Sequence, residues 1–180
     1  MSIAVLYGGT RNQGNSEILT EIAVNHLPVE RIYLRNYNIQ PIKDGRHSKT
    51  GFQEVNDDYH TVIDQILPHE IIIFSTPIYW YSMSATMKLF IDRWSQTFRD
   101  ADYPQFKEIM ADKKAYVIAV GGDSPSIKGL PLIQQFNYIF EFMGITFSGY
   151  IIGEGNKPVD ILHDENAVHA ATQLNKVLLT

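Results

Sequence analysis

Five short apolar runs, each separated from the next by a helical pattern, constrain this chain more than any other feature. The runs are Ile3–Tyr7, Val29–Leu34, Glu70–Ser75, Ala115–Val120 and Ile145–Ile152. The interior of Glu70-Ile-Ile-Ile-Phe-Ser75 shows no polar alternation, the mark of a strand buried on both faces. Between the runs, apolar residues recur at helical spacing: Ile18, Leu19, Ile22, Ala23 and Leu27 before Pro28, and Val62, Ile63, Ile66 and Leu67 before Pro68. The same period runs through Ser84–Phe98, through Leu132–Met143 ahead of Gly144, and through Asp164–Leu179. Asp57-Asp58 offers N-cap chemistry, and Gly144 suits a C′ residue. Arg99–Lys113 is polar and irregular.

Strands alternating with helices call for an α/β fold: a parallel sheet between two helical layers. Right-handed crossovers leave few topologies, and five strands fit the order 2-1-3-4-5. Ligands in such sheets sit at the C-terminal strand ends near the switch point, here between strands one and three. With 180 residues, no repeat and no low-complexity tail, residues 1–180 are expected to form a single domain. The polar stretch Arg35–Gly51 is longer than most connections and reads as a functional loop of unassigned role.

A net charge of −5 without a basic run argues against nucleic-acid or anionic-membrane partners. The absence of cysteine excludes disulfides, thiolate metal sites, iron–sulfur clusters and Cys nucleophiles, and fits a cytoplasmic protein. No run approaches the roughly 20 apolar residues of a membrane span. The six histidines are scattered and suggest no metal site; His47 reads as solvated, and Asp92-Arg93 as a structural ion pair or cap.

The loop Tyr7-Gly-Gly-Thr-Arg-Asn-Gln-Gly-Asn-Ser16 lies between the first strand and the first helix, where backbone N–H groups and a helix dipole can hold a phosphate. Its spacing matches a P-loop, but Asn15 stands where the lysine belongs, and strand three offers no Asp for Mg²⁺. The dinucleotide fingerprint is absent, because Gly8 and Gly9 are adjacent. A monophosphate cradle remains: Thr10 and Ser16 supply hydroxyls, Arg11 supplies charge, and Asn12–Ser16 supply N–H groups. The loop alone leaves a plain strand–helix turn as the alternative. The second segment decides. Ser75-Thr-Pro-Ile-Tyr-Trp-Tyr81 follows strand three and sets three successive aromatics at the sheet edge, a platform for a flat ligand.

Together, Gly9-Thr-Arg-Asn-Gln-Gly-Asn-Ser16, Ser75-Thr-Pro-Ile-Tyr-Trp80 and Met87-Lys-Leu-Phe-Ile-Asp-Arg93 resemble the motifs of flavodoxin-fold, FMN-dependent NAD(P)H oxidoreductases. The closest branch holds the iron–sulfur flavoproteins and their cluster-free relatives; Gln40–Ser48 has no cysteine, which favours the cluster-free kind. The resemblance implies a flavodoxin-like fold and bound FMN, with NADPH or NADH as co-substrate. It implies that Thr10, Arg11, Asn15 and Ser16 hold the phosphate with backbone help from Asn12, Gln13 and Gly14. Pro77, Ile78, Tyr79 and Trp80 would meet the isoalloxazine, and Gly121, Gly122 and Asp123 would flank it from the other side. No catalytic acid or base is assigned, because the cofactor carries the chemistry. The acceptor would be small: a quinone, an azo or nitro compound, free flavin or a metal ion. A homodimer or homotetramer is also implied. The alternative is a flavodoxin-like electron carrier serving a protein partner. A receiver domain would need acids after strands one and three, and a low-molecular-weight phosphatase would need a cysteine; neither is present.

Overall fold

The structure, a computed structural model, describes residues 2–180. Five parallel strands, β1 Ile3–Tyr7, β2 Val29–Tyr33, β3 Ile71–Pro77, β4 Lys114–Gly121 and β5 Thr146–Glu154, lie in the order β2-β1-β3-β4-β5. The register is continuous from Ile3↔Ile71 to Tyr7↔Ser75 and from Ile71↔Lys114 to Pro77↔Val120. The strand edge expected from sequence is therefore the edge observed, with the ends of β1 and β3 side by side.

Helices cover both faces. They are α1 Asn15–Ala23, α2 Tyr59–Ile66, α3 Ala85–Asp92, α4 Trp94–Thr97, α5 Phe106–Ala111, α6 Pro125–Lys128, α7 Leu130–Met143 and α8 Glu165–Leu178. Short 3₁₀ turns occupy Leu34–Asn36 and Asp160–His163. Alternate residues of the strands feed two cores. One joins Leu6, Phe74 and Val117 to Ile63, Phe90, Trp94, Phe136 and Phe140. The other joins Val5, Ile73 and Ile118 to Leu19, Ala23, Ala171 and Leu178. Period-two alternation in a strand covered on both sides sends every residue into one core or the other.

Several boundaries differ from the sequence reading. The Ser84–Phe98 pattern is two helices broken at Arg93, whose buried guanidinium reaches Asp57 Oδ2 at 2.6 Å and Gln40 O at 3.1 Å. Arg99–Lys113 is not irregular throughout: it contains α5, seated by buried Phe106 and Met110. The connection after β4 contains α6, and β5 runs on to Glu154, in register with Gly121. Helix α1 stops at Ala23 rather than Leu27. Asp58 sits at the N-cap of α2, but its carboxylate accepts from Asn38 N at 2.7 Å, while Asp57 Oδ1 accepts from Tyr59 N. The pair thus pins the long loop to the helix start. Gly144 does terminate α7 in the left-handed region, at φ 77°.

Candidate functional site

Three loops meet at the C-terminal edge of β1, β3 and β4. The first, residues 8–14, is held from beneath. Gly8 N donates to Ser75 O at 2.8 Å and Thr86 Oγ1 donates to Gly8 O at 2.9 Å. A Cβ on Gly8 would lie 2.8 Å from Ser84 Oγ, so only glycine lets the loop pass this close to the start of α3. Arg35 braces the loop from β2's side: Nη1 lies 3.0 Å from Glu17 Oε2 and 3.5 Å from Gly9 O, and its guanidinium sits over the Tyr33 ring. The left-handed residue of the turn is Gln13, at φ 52°, while Gly14 is extended and serves as N-cap of α1.

Gly14 offers no side chain to cap α1, so the first-turn N–H groups face the loop with the positive end of the helix dipole behind them. Among the described residues, Thr10, Arg11 and the Ser16 hydroxyl make no side-chain hydrogen bond to the protein; together they are free to bind an anion. Asn15 is not free. Its Nδ2 donates to Lys157 O at 2.9 Å and its Oδ1 accepts from Ile161 N, tying α1 to the segment after β5. The Asn15 side chain therefore braces the cradle, and its backbone N–H is what it can offer a phosphate.

The second loop is a tight hairpin. Tyr79 and Ser82 exchange two backbone hydrogen bonds of 3.0 Å, leaving Trp80 and Tyr81 as the central residues at φ 48° and 64°. That is the signature of a type I′ turn, ordinarily made by Asn-Gly. Trp80 is 95% exposed and Tyr81 44%. Ser82 Oγ, donating to Gln135 Oε1 at 2.9 Å, anchors the base of the hairpin to α7.

The third loop follows β4. Gly121 packs on Ile78 so tightly that a Cβ would lie 3.1 Å from Ile78 Cβ, and a Cβ on Gly122 would lie 2.9 Å from Asn156 Cβ. Asp123 reaches across the mouth: Tyr81 donates to its Oδ2 at 3.0 Å and Lys128 Nζ to its Oδ1 at 2.6 Å. Those bonds hold the Asp123 carboxyl below the usual carboxylate range, the Lys128 bond contributing most.

The loops enclose two adjoining cavities. One of about 230 Å³ is lined by Thr10, Arg11, Ser16, Pro77, Tyr79 and Asn156, among others. The other, of about 150 Å³, is lined by Trp80, Tyr81, Asp123 and Lys128. Ile78, Gly121 and Gly122 line both, so the two form one trough. Neither cavity is lined by Asn12 or Gln13, which sit exposed on the outer turn. The other expected residues come together here. Gly155, Asn156 and Lys128 were missed; Tyr81, read from sequence as part of the aromatic platform, does line the trough. Gly155 and Asn156 lie just past a strand read two residues too short; Lys128 joins the trough only through tertiary contacts. The Arg35–Gly51 loop does not line the trough; with residues to Asn56 it borders a separate cavity of about 680 Å³.

Comparison with known proteins bears on the fold and the family. The family described as having a flavodoxin-like fold matches residues 1–178. A Bacillus subtilis (strain 168) protein named NAD(P)H-dependent FMN-containing oxidoreductase YwqN is 60% identical over 176 residues, 98% of this chain and 97% of that one. A Stenotrophomonas maltophilia (strain K279a) protein named FMN-dependent NADH:quinone oxidoreductase is 29% identical over 129 residues, 67% of this chain and 65% of its own. A solved structure described as the Trp repressor binding protein from Bacillus subtilis superposes with a TM-score of 0.83 at 53% identity, covering 96% of this chain and 97% of that one.

Proposed function

The chain belongs to the family with the flavodoxin-like fold, and on that premise we propose that it is an NAD(P)H-dependent, FMN-containing oxidoreductase that reduces a small acceptor. The observation that carries this reading is the single trough joining an anion cradle to an exposed aromatic hairpin. The donor set fits FMN. Thr10, Ser16, Arg11 and the N–H groups of Gly14–Ser16 would hold one phosphate dianion. Pro77, Ile78, Tyr79 and Trp80 would form one wall for the ring, with Gly121, Gly122 and Asp123 opposite; the glycines leave backbone open to the ring's polar edge. The paired charges Arg35–Glu17 and Lys128–Asp123 cancel, so Arg11 and the helix dipole leave the phosphate end positive.

When bound, FMN supplies a hydride acceptor that NAD(P)H can reduce and a small oxidant can reoxidise. The protein's part would be to orient the ring between those walls, shield its inner edge with Val120, and leave the mouth of the trough beside exposed Trp80 open to nicotinamide and acceptor in turn. The name of the Stenotrophomonas relative supports a quinone among the acceptors.

The finer parts of the reading are that residues 1–180 act as one domain, in the cytoplasm, as a homodimer or homotetramer. The absence of cysteine supports the first compartment. No described helix is long and apolar enough to cross a membrane. The exposed Ile127, Leu130, Tyr138 and Phe142 of α6 and α7 support self-association.

The test is anaerobic. The purified protein should be yellow, and NADH or NADPH should bleach it without a protein partner. An Arg11→Ala variant should lose flavin on desalting while remaining folded by circular dichroism. A flavin band that neither nucleotide bleaches would defeat the oxidoreductase reading. Full flavin retention by the variant would defeat the cradle assignment.

A further inference from the structure

Within the trough, one charged group faces the ring cavity without a role so far. Lys128 lines the 150 Å³ cavity with Gly121, Gly122, Asp123 and Tyr81. It is the last residue of α6, a single turn that starts after Ser124 in the left-handed region at φ 45°. Gly129 makes the placement possible. A Cβ there would lie 2.6 Å from Pro125 O and 2.9 Å from Ile78 Cδ1, so any larger residue would push α6 off the cavity wall.

Lys128 is held at the rim by a chain of two hydrogen bonds. Its Nζ donates to Asp123 Oδ1 at 2.6 Å, and the other carboxylate oxygen accepts from the Tyr81 hydroxyl at 3.0 Å. Tyr81 is itself fixed in a left-handed conformation at the tip of the hairpin. The chain thus links the two walls of the ring cavity, and its only cation is Lys128. As an ion pair it adds no net charge.

The chemistry of the trough gives such a pair a use. Hydride transfer from a nicotinamide delivers two electrons and one proton. A nicotinamide donor would leave positively charged, and reduced FMN would carry an added negative charge on its N1–C2=O edge. With its phosphate on the Thr10–Ser16 cradle, bound FMN would turn that polar edge toward Gly121 and Gly122, which line both cavities. A cation at the same rim favours the reduced form over the oxidised one.

We propose that Lys128 is the charge-balancing residue for reduced FMN, and that Asp123 and Tyr81 are positioning residues that hold it at the cavity rim and moderate its charge. This rests on the FMN reading above. Lys128 sets the reduction potential, Asp123 tempers it, and the two act with opposite sign.

The experiment is a two-electron midpoint potential, measured anaerobically by dye equilibration on the flavin-loaded wild type, Lys128→Met, Lys128→Arg and Asp123→Asn. The Lys128→Met variant should bind reduced FMN about tenfold more weakly relative to oxidised FMN, the effect of one charge at a wet rim. For a two-electron couple, tenfold lowers the potential by about 30 mV. Lys128→Arg should restore most of it, and Asp123→Asn should raise it. Both positions are exposed, with the Lys128 and Asp123 side chains 48% and 60% accessible, so the fold should survive. Unchanged potentials in Lys128→Met and Asp123→Asn, or shifts of the same sign in both, overturn the proposal while leaving FMN binding intact. A wild type that takes up no FMN removes both the functional reading and this proposal.

Discussion

Arg93 and Asp57 meet at 2.6 Å with side chains 1% and 2% exposed. Arg93 Nε also donates to Gln96 Oε1 at 2.8 Å, and the guanidinium lies over the Tyr59 ring, 4.5 Å from its centroid. One arm, Nη2, has no hydrogen-bond partner, and the ring face is what answers its charge. Burial would push the Asp57 carboxyl up, but hydrogen bonds from Gln40 N, Arg93 and Tyr59 N outweigh it and hold it below the ordinary value. A depressed carboxylate adds stability above its unfolded pKa of about 3.9; that contribution is lost as pH falls through the lower folded value. Asp57→Asn should therefore cost about 3–5 kcal/mol near neutrality by stranding a buried cation. Its deficit against wild type should shrink below about pH 4. Urea melts of both proteins from pH 7 downward check this; equal stability at pH 7 would refute it. Sequence reading took Asp92-Arg93 as a structural ion pair or cap; Arg93 stands at the C-cap of α3 and pairs with Asp57, while Asp92 meets Lys88 at 2.6 Å.

At the scale of the element, the hairpin Tyr79–Ser82 holds two aromatics where the backbone favours Asn-Gly. Left-handed non-glycine residues cost about 1–3 kcal/mol each. Trp80→Asn combined with Tyr81→Gly should stabilise the flavin-free protein by about 1–3 kcal/mol and weaken FMN binding. Urea denaturation and fluorescence titration read the two effects. A flavin-free variant no more stable than wild type would mean that the turn is unstrained. Fluorescence suits the site because the two tryptophans differ: Trp80 is 95% exposed and Trp94 3%. The strain was not legible in Pro-Ile-Tyr-Trp-Tyr81, since nothing local specifies φ > 0; the cross-hairpin pairing and the bond to Asp123 impose it. Helix α5 was missed for a related reason. Phe106 and Met110 are one turn apart, and one turn carries no period.

At the scale of the whole molecule, the exposed surface bears on assembly. Helix α7 turns Phe136 and Phe140 into the core and leaves Tyr138 62% and Phe142 66% exposed. Lys107 covers part of the Phe142 ring, with Nζ 4.8 Å from its centroid. Light scattering of the flavin-loaded protein should give a dimer or tetramer, and Tyr138→Glu with Phe142→Glu should reduce it to a monomer. A monomeric wild type would overturn the assembly.

The sequence by itself determined the layers and the strand order, and it marked the loop after the first strand as a candidate cradle. Each rests on short-range chemistry: apolar period, crossover handedness, and a glycine-rich turn ahead of a helix. Only the tertiary structure decided what individual polar groups do there. The Asn15 side chain acts as a brace because folding brings Lys157 O within 2.9 Å of its amide nitrogen and Ile161 N within 3.5 Å of its amide oxygen. Asp58 left its helix to hold Asn38, and Tyr81, Asp123 and Lys128 met across 42 and 5 residues of chain. A polar side chain is satisfied by whatever donor or acceptor folding brings within about 3 Å, and spacing along the chain does not encode that distance.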